Sequence, residues 1–265
     1  MVEWVRIVIL GIVEGITEFL PISSTGHLLL TEALFRHAQS ELFNTVIQVG
    51  AVLAVIIVFG ARVKTLAFGW QQPTNRDHLA KLGAAFLITA VGGLLLKSCG
   101  WKPPHSAVPV AWATLIGGIL FVVIEQWLRG KERTAGISWS VAVAVGFAQL
   151  FAAVFPGASR SGTTILIALL LGVNRARAAE FSFLLGIPTL VAAGGKEIVD
   201  ALRTHAPHEP WLQLAVAAMV AATTASFAVR WLLRYIQTHD FSFFGWYRIA
   251  VGSAMLLLAF RGIIH

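Results

Sequence analysis

Residues 14–27 read EGITEFLPISSTGH and residues 149–164 read QLFAAVFPGASRSGTT, and these two stretches decide the fold. Laying Pro21 on Pro156 puts Glu14 opposite Gln149 and sets a Ser/Thr/Gly cluster just after each proline. The two stretches therefore read as an internal repeat. Proline lacks an N–H and clashes with the preceding turn, so a helix should end near each one and a new helix should begin at the Ser/Gly cluster. The expected product, twice over, is a helix-turn-helix hairpin.

Outward from the hairpins the chain is apolar. Of its 265 residues 57% are hydrophobic and only 12% are charged, against about 25% charged in an average soluble domain, and the mean hydropathy is +0.77. Apolar segments run over residues 4–20, 24–36, 43–61, 80–97, 107–128, 137–155, 161–172, 179–199, 211–233 and 244–264. At roughly 20 residues per membrane crossing, this length suits one integral-membrane domain over 1–265, with repeat halves of about 1–128 and 129–265. Segments 24–36 and 161–172 are too short to cross, so each hairpin is expected to be re-entrant, entering and leaving by one side. Its irregular tip is tolerated at depth only where protein or a wet cavity satisfies the backbone. Six full crossings then remain, and the hairpins enter from opposite sides. The expected fold class is an all-α polytopic membrane protein built as an inverted repeat with two re-entrant hairpins. Interrupted segments in corresponding places of two halves also point to a binding site at the repeat interface.

The formal charge of +7 raises the question of nucleic acid, but the basic residues form no run interleaved with aromatics, so no nucleic-acid partner is expected. They lie in short loops, as anionic headgroups and the positive-inside bias would arrange them. Eleven fall on the side opposite the N-terminus: Arg62, Lys64, Arg76, Lys81, Arg129, Lys131, Arg133, Arg175, Arg177, Arg230 and Arg234. Seven fall on the other: Arg6, Arg36, Lys97, Lys102, Lys196, Arg203 and Arg261. The bias puts both termini outside the cytoplasm. Trp70, Trp101, Trp127, Trp211 and Trp246 stand near segment ends, as interfacial anchors would. Cys99 is the only cysteine, which excludes an internal disulfide and a Cys-based zinc site. Glu14 and Glu18 would interrupt the uncharged core of a signal peptide, so the first segment reads as mature structure. The loop from His205 to Pro210 reads as ordinary connecting surface.

Glu14 and Glu18 stand i, i+4 on one helix face and can share a ligand or a cation. Each charge at mid-membrane costs roughly 2.5–3.5 kcal/mol, so the pair needs a partner. Arg160 sits among Ser159, Ser161, Gly162, Thr163 and Thr164 at the start of a helix. Such a start offers free N–H groups, hydroxyls and the positive dipole end to a phosphate, and the guanidinium grips phosphate as a fork. The alternative is that Arg160 only neutralises Glu14 or Glu18. Ser23, Ser24, Thr25, Gly26 and His27 form the matching start in the first half. There a hydroxyl beside an imidazole is the raw material of nucleophilic catalysis, and His27 follows Ser24 by three residues on nearly the same face.

The two quoted motifs, with IQVGA at 47–51, RAAEFSFLLGIP at 177–188 and WYRI at 246–249, resemble the undecaprenyl-pyrophosphate phosphatase family of the bacitracin-resistance type along the whole chain. The resemblance implies a divalent-metal-dependent hydrolase of the bacterial cytoplasmic membrane. Such an enzyme converts undecaprenyl pyrophosphate to undecaprenyl phosphate and recycles the carrier lipid of peptidoglycan synthesis. By position it assigns function to Glu14, Glu18, Ser24, His27, Ser159, Arg160 and Thr164. Segment 80–97 departs from the family in lacking a proline, one that its counterpart carries at Pro188, so the local helix shape is expected to differ there.

Together these readings give a site in which Glu14 and Glu18 hold Mg2+ or Ca2+ against the pyrophosphate, and Arg160 with the Ser159–Thr164 helix start binds the terminal phosphoryl group. Ser24 is the nucleophile and His27 its general base, with direct attack by His27 or by metal-bound water left open. Ser23, Thr25, Ser161, Gly162, Thr163 and Gln149 complete the substrate-binding set. The site should face the periplasm or cell exterior, with the polyprenyl tail among the helices and a homodimer possible. A polyprenyl-phosphate transporter or flippase is the competing reading, because inverted repeats with broken helices also build carriers.

Overall fold

The computed structural model describes residues 2–102, 104, 106–131, 136–204 and 210–264. Arg133 and the 205–209 part of the His/Pro loop lie outside the described residues. Among those described are eleven helices and no strand: α1 (Val2–Thr17), α2 (Ser24–Phe35), α3 (Glu41–Val58), α4 (Gly60–Phe68), α5 (Pro73–Ser98), α6 (Ala107–Trp127), α7 (Trp139–Val154), α8 (Arg160–Leu170), α9 (Arg175–Thr204), α10 (Trp211–Thr238) and α11 (Ser242–Phe260). Helices α3, α5, α6, α9, α10 and α11 are long and apolar enough to cross a membrane. Each of the ten expected segments coincides with a helix. The eleventh, α4, arises because the third segment does not run unbroken to residue 61. It ends at Phe59 (φ −95°, ψ 21°), which caps both α3 and the nine-residue α4. Phe59 packs against the main core cluster, while α4 carries Arg62 and Lys64 outward, where the apolar pattern has ceased.

Tertiary packing displays the repeat. On α5, Thr89 Oγ1 donates to the Gly146 carbonyl of α7 (3.1 Å), and on α10, Thr224 Oγ1 reaches the Gly11 carbonyl of α1 (3.5 Å). The offset that lays Pro21 on Pro156 also lays Gly11 on Gly146 and Thr89 on Thr224. Small residues are needed at these crossings. A Cβ on Gly11 would stand 2.7 Å from the Ala217 carbonyl oxygen, and one on Gly146 would stand 3.0 Å from Ala85. Helix α1 thus packs on α10 as α7 packs on α5, while α3 meets α9 and α6 meets α11. This pairing corrects one expectation. The counterpart of α5 is α10, so the position matching Pro188 falls in α3 and not in segment 80–97. Helix α5 runs unbroken, and Pro188 is accommodated inside α9.

Candidate active site at the two hairpin tips

The hairpin tips are built alike. Ser23 (φ 75°, ψ 92°) and Ser159 (φ 69°, ψ 112°) cap α2 and α8, and each side chain accepts the N–H three residues on, from Gly26 (3.3 Å) and Gly162 (3.2 Å). A positive φ costs a non-glycine residue on the order of 1–3 kcal/mol and persists only where the surroundings over-determine it. The surroundings here are Arg248 of α11. It is fully buried, and its guanidinium donates to five main-chain carbonyls: Pro21 (3.3 Å) in the first turn, Gly157 (3.0 Å) and Ala158 (3.0 Å) in the second, and Ala113 (3.2 Å) and Thr114 (3.2 Å) on α6. One side chain therefore ties the two turns to each other. Gly157 (φ +96°) must be glycine for a further reason, since a Cβ would lie 2.3 Å from the Val110 carbonyl oxygen.

The serine caps equate Ser23 with Ser159, whereas the prolines equate Pro21 with Pro156, so the second turn carries one residue more after its proline. That single residue changes what the halves contribute. The first residue of α2 is Ser24 and the first of α8 is Arg160, and both reach the same carboxylate. Ser24 Oγ donates to Glu18 Oε2 (2.8 Å), and Arg160 Nη2 donates to Glu18 Oε1 (3.1 Å). Glu18 is 8% exposed. The Arg160 guanidinium also donates to the Ser182 carbonyl (3.2 Å) and lies over the Phe19 ring. Gly186 leaves room for it, because a Cβ there would stand 2.7 Å from Nη1.

The remaining expected residues divide into two groups. Ser161 is wholly buried and donates to the Glu18 and Leu20 carbonyls (3.3 Å each), joining α8 to the first turn. Thr163 Oγ1 returns to the Ser159 carbonyl, and Thr164 bonds the Arg160 carbonyl and the Ser182 hydroxyl. Ser161 thus ties the two tips together, while the Thr163 and Thr164 hydroxyls are satisfied within the second hairpin and against α9. Gln149 also stands apart. Its Nε2 donates to Thr89 and Thr189 (3.0 Å each), in the interior between α5, α7 and α9. Thr25, in contrast, is exposed at the tip. The expected Ser24–His27 pair is not made. His27 Nδ1 lies 2.7 Å from the Ser23 carbonyl, and Nε2 lies 2.8 Å from the hydroxyl of Tyr247, a residue of α11 whose ring stacks on the imidazole.

Glu14 is completely buried, no donor N–H or O–H reaches either carboxyl oxygen, and its carboxyl lies against that of Glu18. It interacts electrostatically with Glu18 and Arg160. A buried carboxylate in this condition is costly unless a cation or a donor reaches it. Two carboxylates one turn apart supply the hard oxygens that Mg2+ and Ca2+ take. Among the described residues no group of three or more His, Cys, Asp and Glu side chains forms a metal cage. A cation here would complete its shell from hydroxyls, water and phosphate oxygens. Arg160 keeps its Nε buried and unpartnered, and the N–H groups of Arg160 and Ser161 open α8 with no carbonyl one turn earlier to bond. The donors left for an anion are thus the guanidinium edge and the helix start.

Sequence reasoning missed two residues, Arg248 and Tyr247. The signal for the first was a lone arginine inside an apolar segment, which demands a partner. For Tyr247 it was the WYRI stretch of the family resemblance, but only the fold, which lays α11 beside α2, shows its partner.

Comparison with known proteins places this geometry in context. Residues 7–254 match the family described as bacitracin resistance protein BacA. A protein of Rhizobium etli (strain CIAT 652) named undecaprenyl-diphosphatase is 48% identical over 264 residues, covering 99% of both chains. One of Xylella fastidiosa (strain 9a5c) with the same name is 48% identical over 258 residues, covering 97% of this chain and 98% of its own. A third, from Xanthomonas euvesicatoria pv. vesicatoria (strain 85-10), is 46% identical over 259 residues and 97% of each chain.

Proposed function

Because the chain belongs to the bacitracin resistance protein BacA family, we infer that it is an undecaprenyl-diphosphatase, a multi-pass membrane hydrolase that removes the terminal phosphate from undecaprenyl pyrophosphate. One observation carries the inference at the level of the site: a single buried carboxylate, Glu18, receives a hydroxyl from one hairpin and a guanidinium from the other. A nucleophile, a proton acceptor and an anion binder thereby share one point.

The roles follow from what each group has free. Arg160, with its unpartnered Nε and the first N–H groups of α8, takes the terminal phosphoryl group and neutralises charge that spreads over its oxygens in the transition state. Ser24 Oγ attacks phosphorus, and its proton passes to Glu18 Oε2, already its hydrogen-bond acceptor. The bond to the bridging oxygen breaks, and undecaprenyl phosphate leaves. Glu18 replaces His27 as the base for Ser24, because His27 is turned toward Ser23 and Tyr247. Mg2+ or Ca2+ at Glu14 and Glu18 would supply positive charge against the pyrophosphate. The Glu14 carboxyl, buried beside that of Glu18 with no donor reaching it, supports that assignment. The excess of basic residues on the side opposite the N-terminus favours an active site open to the periplasm or cell exterior, in the bacterial cytoplasmic membrane.

Phosphate release from a long-chain polyprenyl pyrophosphate by the detergent-solubilised protein tests this reading. Release is expected with magnesium or calcium, to fall at least tenfold with chelator, and to be abolished in Arg160→Ala. Undiminished release with chelator would remove the metal from the site, and undiminished release by Arg160→Ala would remove the phosphate-binding role. Binding without release under any metal would favour the carrier reading.

A further inference from the structure

His27 has no ring nitrogen directed at Ser24. A main-chain carbonyl only accepts hydrogen bonds, so Nδ1, 2.7 Å from the Ser23 carbonyl, carries the ring hydrogen. Nε2 is then the basic nitrogen, and it accepts the O–H of Tyr247 at 2.8 Å. The two rings are nearly parallel, 5° apart in tilt with centroids at 5.6 Å, so both are fixed in plane as well as in tautomer. Tyr247 is exposed (38%) whereas His27 is only partly exposed, so the phenol, not the imidazole, is the more accessible end of this pair. Ser24 and His27 leave α2 one turn apart, a separation of about 5–6 Å between Cβ atoms. A phosphoryl group on Ser24 would therefore lie beside the pair.

We propose that Tyr247 is a catalytic residue of the second half-reaction, passing the proton of the attacking water to His27 when phosphorylated Ser24 is hydrolysed. The step rests on the reading of Ser24 as nucleophile and balances as follows. One O–H bond of water breaks and its proton goes to Tyr247 Oη, while the Tyr247 proton moves to His27 Nε2. The water oxygen bonds to phosphorus, the phosphorus–Oγ bond of Ser24 breaks, and Oγ recovers the proton held by Glu18. Phosphate departs. The imidazolium, its charge braced by the Ser23 carbonyl, returns its proton through the same phenol to water. Glu18 thus serves the first half-reaction and the His27–Tyr247 pair the second.

The test is acid-quench kinetics with polyprenyl pyrophosphate radiolabelled in its terminal phosphate and, separately, in its polyprenyl chain. In Tyr247→Phe, which keeps the ring and the stack, the first-turnover burst of polyprenyl phosphate is expected to persist within about twofold. Steady-state phosphate release is expected to fall at least tenfold, with label accumulating on Ser24. His27→Asn should show the same split, and the double variant should be no slower than either single one. Equal loss of burst and release in Tyr247→Phe, or wild-type behaviour in both, would overturn the assignment. Turnover without any label on Ser24, in the wild type and in Tyr247→Phe alike, would overturn the covalent reading and the relay with it. Identical gel-filtration profiles in detergent confirm that each variant is folded.

Discussion

At the scale of single residues the site depends on one arginine that makes no ion pair among the described residues. Arg248 is held by carbonyls alone, and three of the five belong to the turns that carry Ser23 and Ser159 in left-handed conformations. Leaving a buried carbonyl unsatisfied costs about 1–3 kcal/mol, and two strained serines would lose their support together. Arg248→Gln is therefore expected to lower the unfolding temperature in detergent by on the order of 10 °C, taking about 2–4 °C per kcal/mol for a chain of this size. Activity should fall more than tenfold even below that temperature. Tryptophan fluorescence on heating, beside phosphate release at a permissive temperature, checks both. An unchanged melting curve would mean that the turns are held by something else.

At the scale of elements the packing of α1 on α10 is the tightest joint near the site. A Cβ on Gly15, the neighbour of Glu14, would fall 1.9 Å from Thr224 Oγ1 and 2.4 Å from the Ala221 carbonyl oxygen. The second contact is with backbone, so trimming Thr224 would not relieve it. Gly15→Ala is expected to cost at least about 3 kcal/mol, at the upper end for overpacking, and to displace Glu14 and Glu18 along with α1. Gly83 lies in α5 with open space where its Cβ would be. Gly83→Ala should be neutral or stabilising by roughly 0.4–1 kcal/mol, because it restricts only the unfolded chain. Thermal unfolding of the two variants side by side measures the contrast. Equal effects would show that helix propensity, not the α1–α10 contact, governs both positions.

For the whole molecule, function turns on which side of the membrane the tips face. Thr25 is exposed at the first tip, and Arg129 is exposed at the far end of α6. With the free, exposed Cys99 replaced by serine, Thr25→Cys is expected to react with a membrane-impermeant maleimide added outside intact cells. Arg129→Cys is expected to react only after the membrane is opened. The reverse pattern would turn the enzyme over and place its substrate on the cytoplasmic leaflet.

The sequence by itself determined the number and order of the apolar helices, the two hairpins, the repeat and the chemical inventory of the tips. Each of these is local: a helix needs an apolar run of sufficient length, a break needs a proline and a capping hydroxyl, and a repeat is visible as self-similarity. The family motifs added the class of reaction. Only the tertiary structure decided which atoms meet. The pairing of α5 with α10, the convergence of Ser24 and Arg160 on Glu18, the turning of His27 toward Tyr247 and the commitment of the Ser161 and Thr164 hydroxyls to backbone all join residues far apart in the chain or choose among several partners for one side chain. Spacing along a helix says which groups could share a face. Whether they bond each other or a neighbouring helix depends on what that helix brings within about 3 Å, and packing alone settles that.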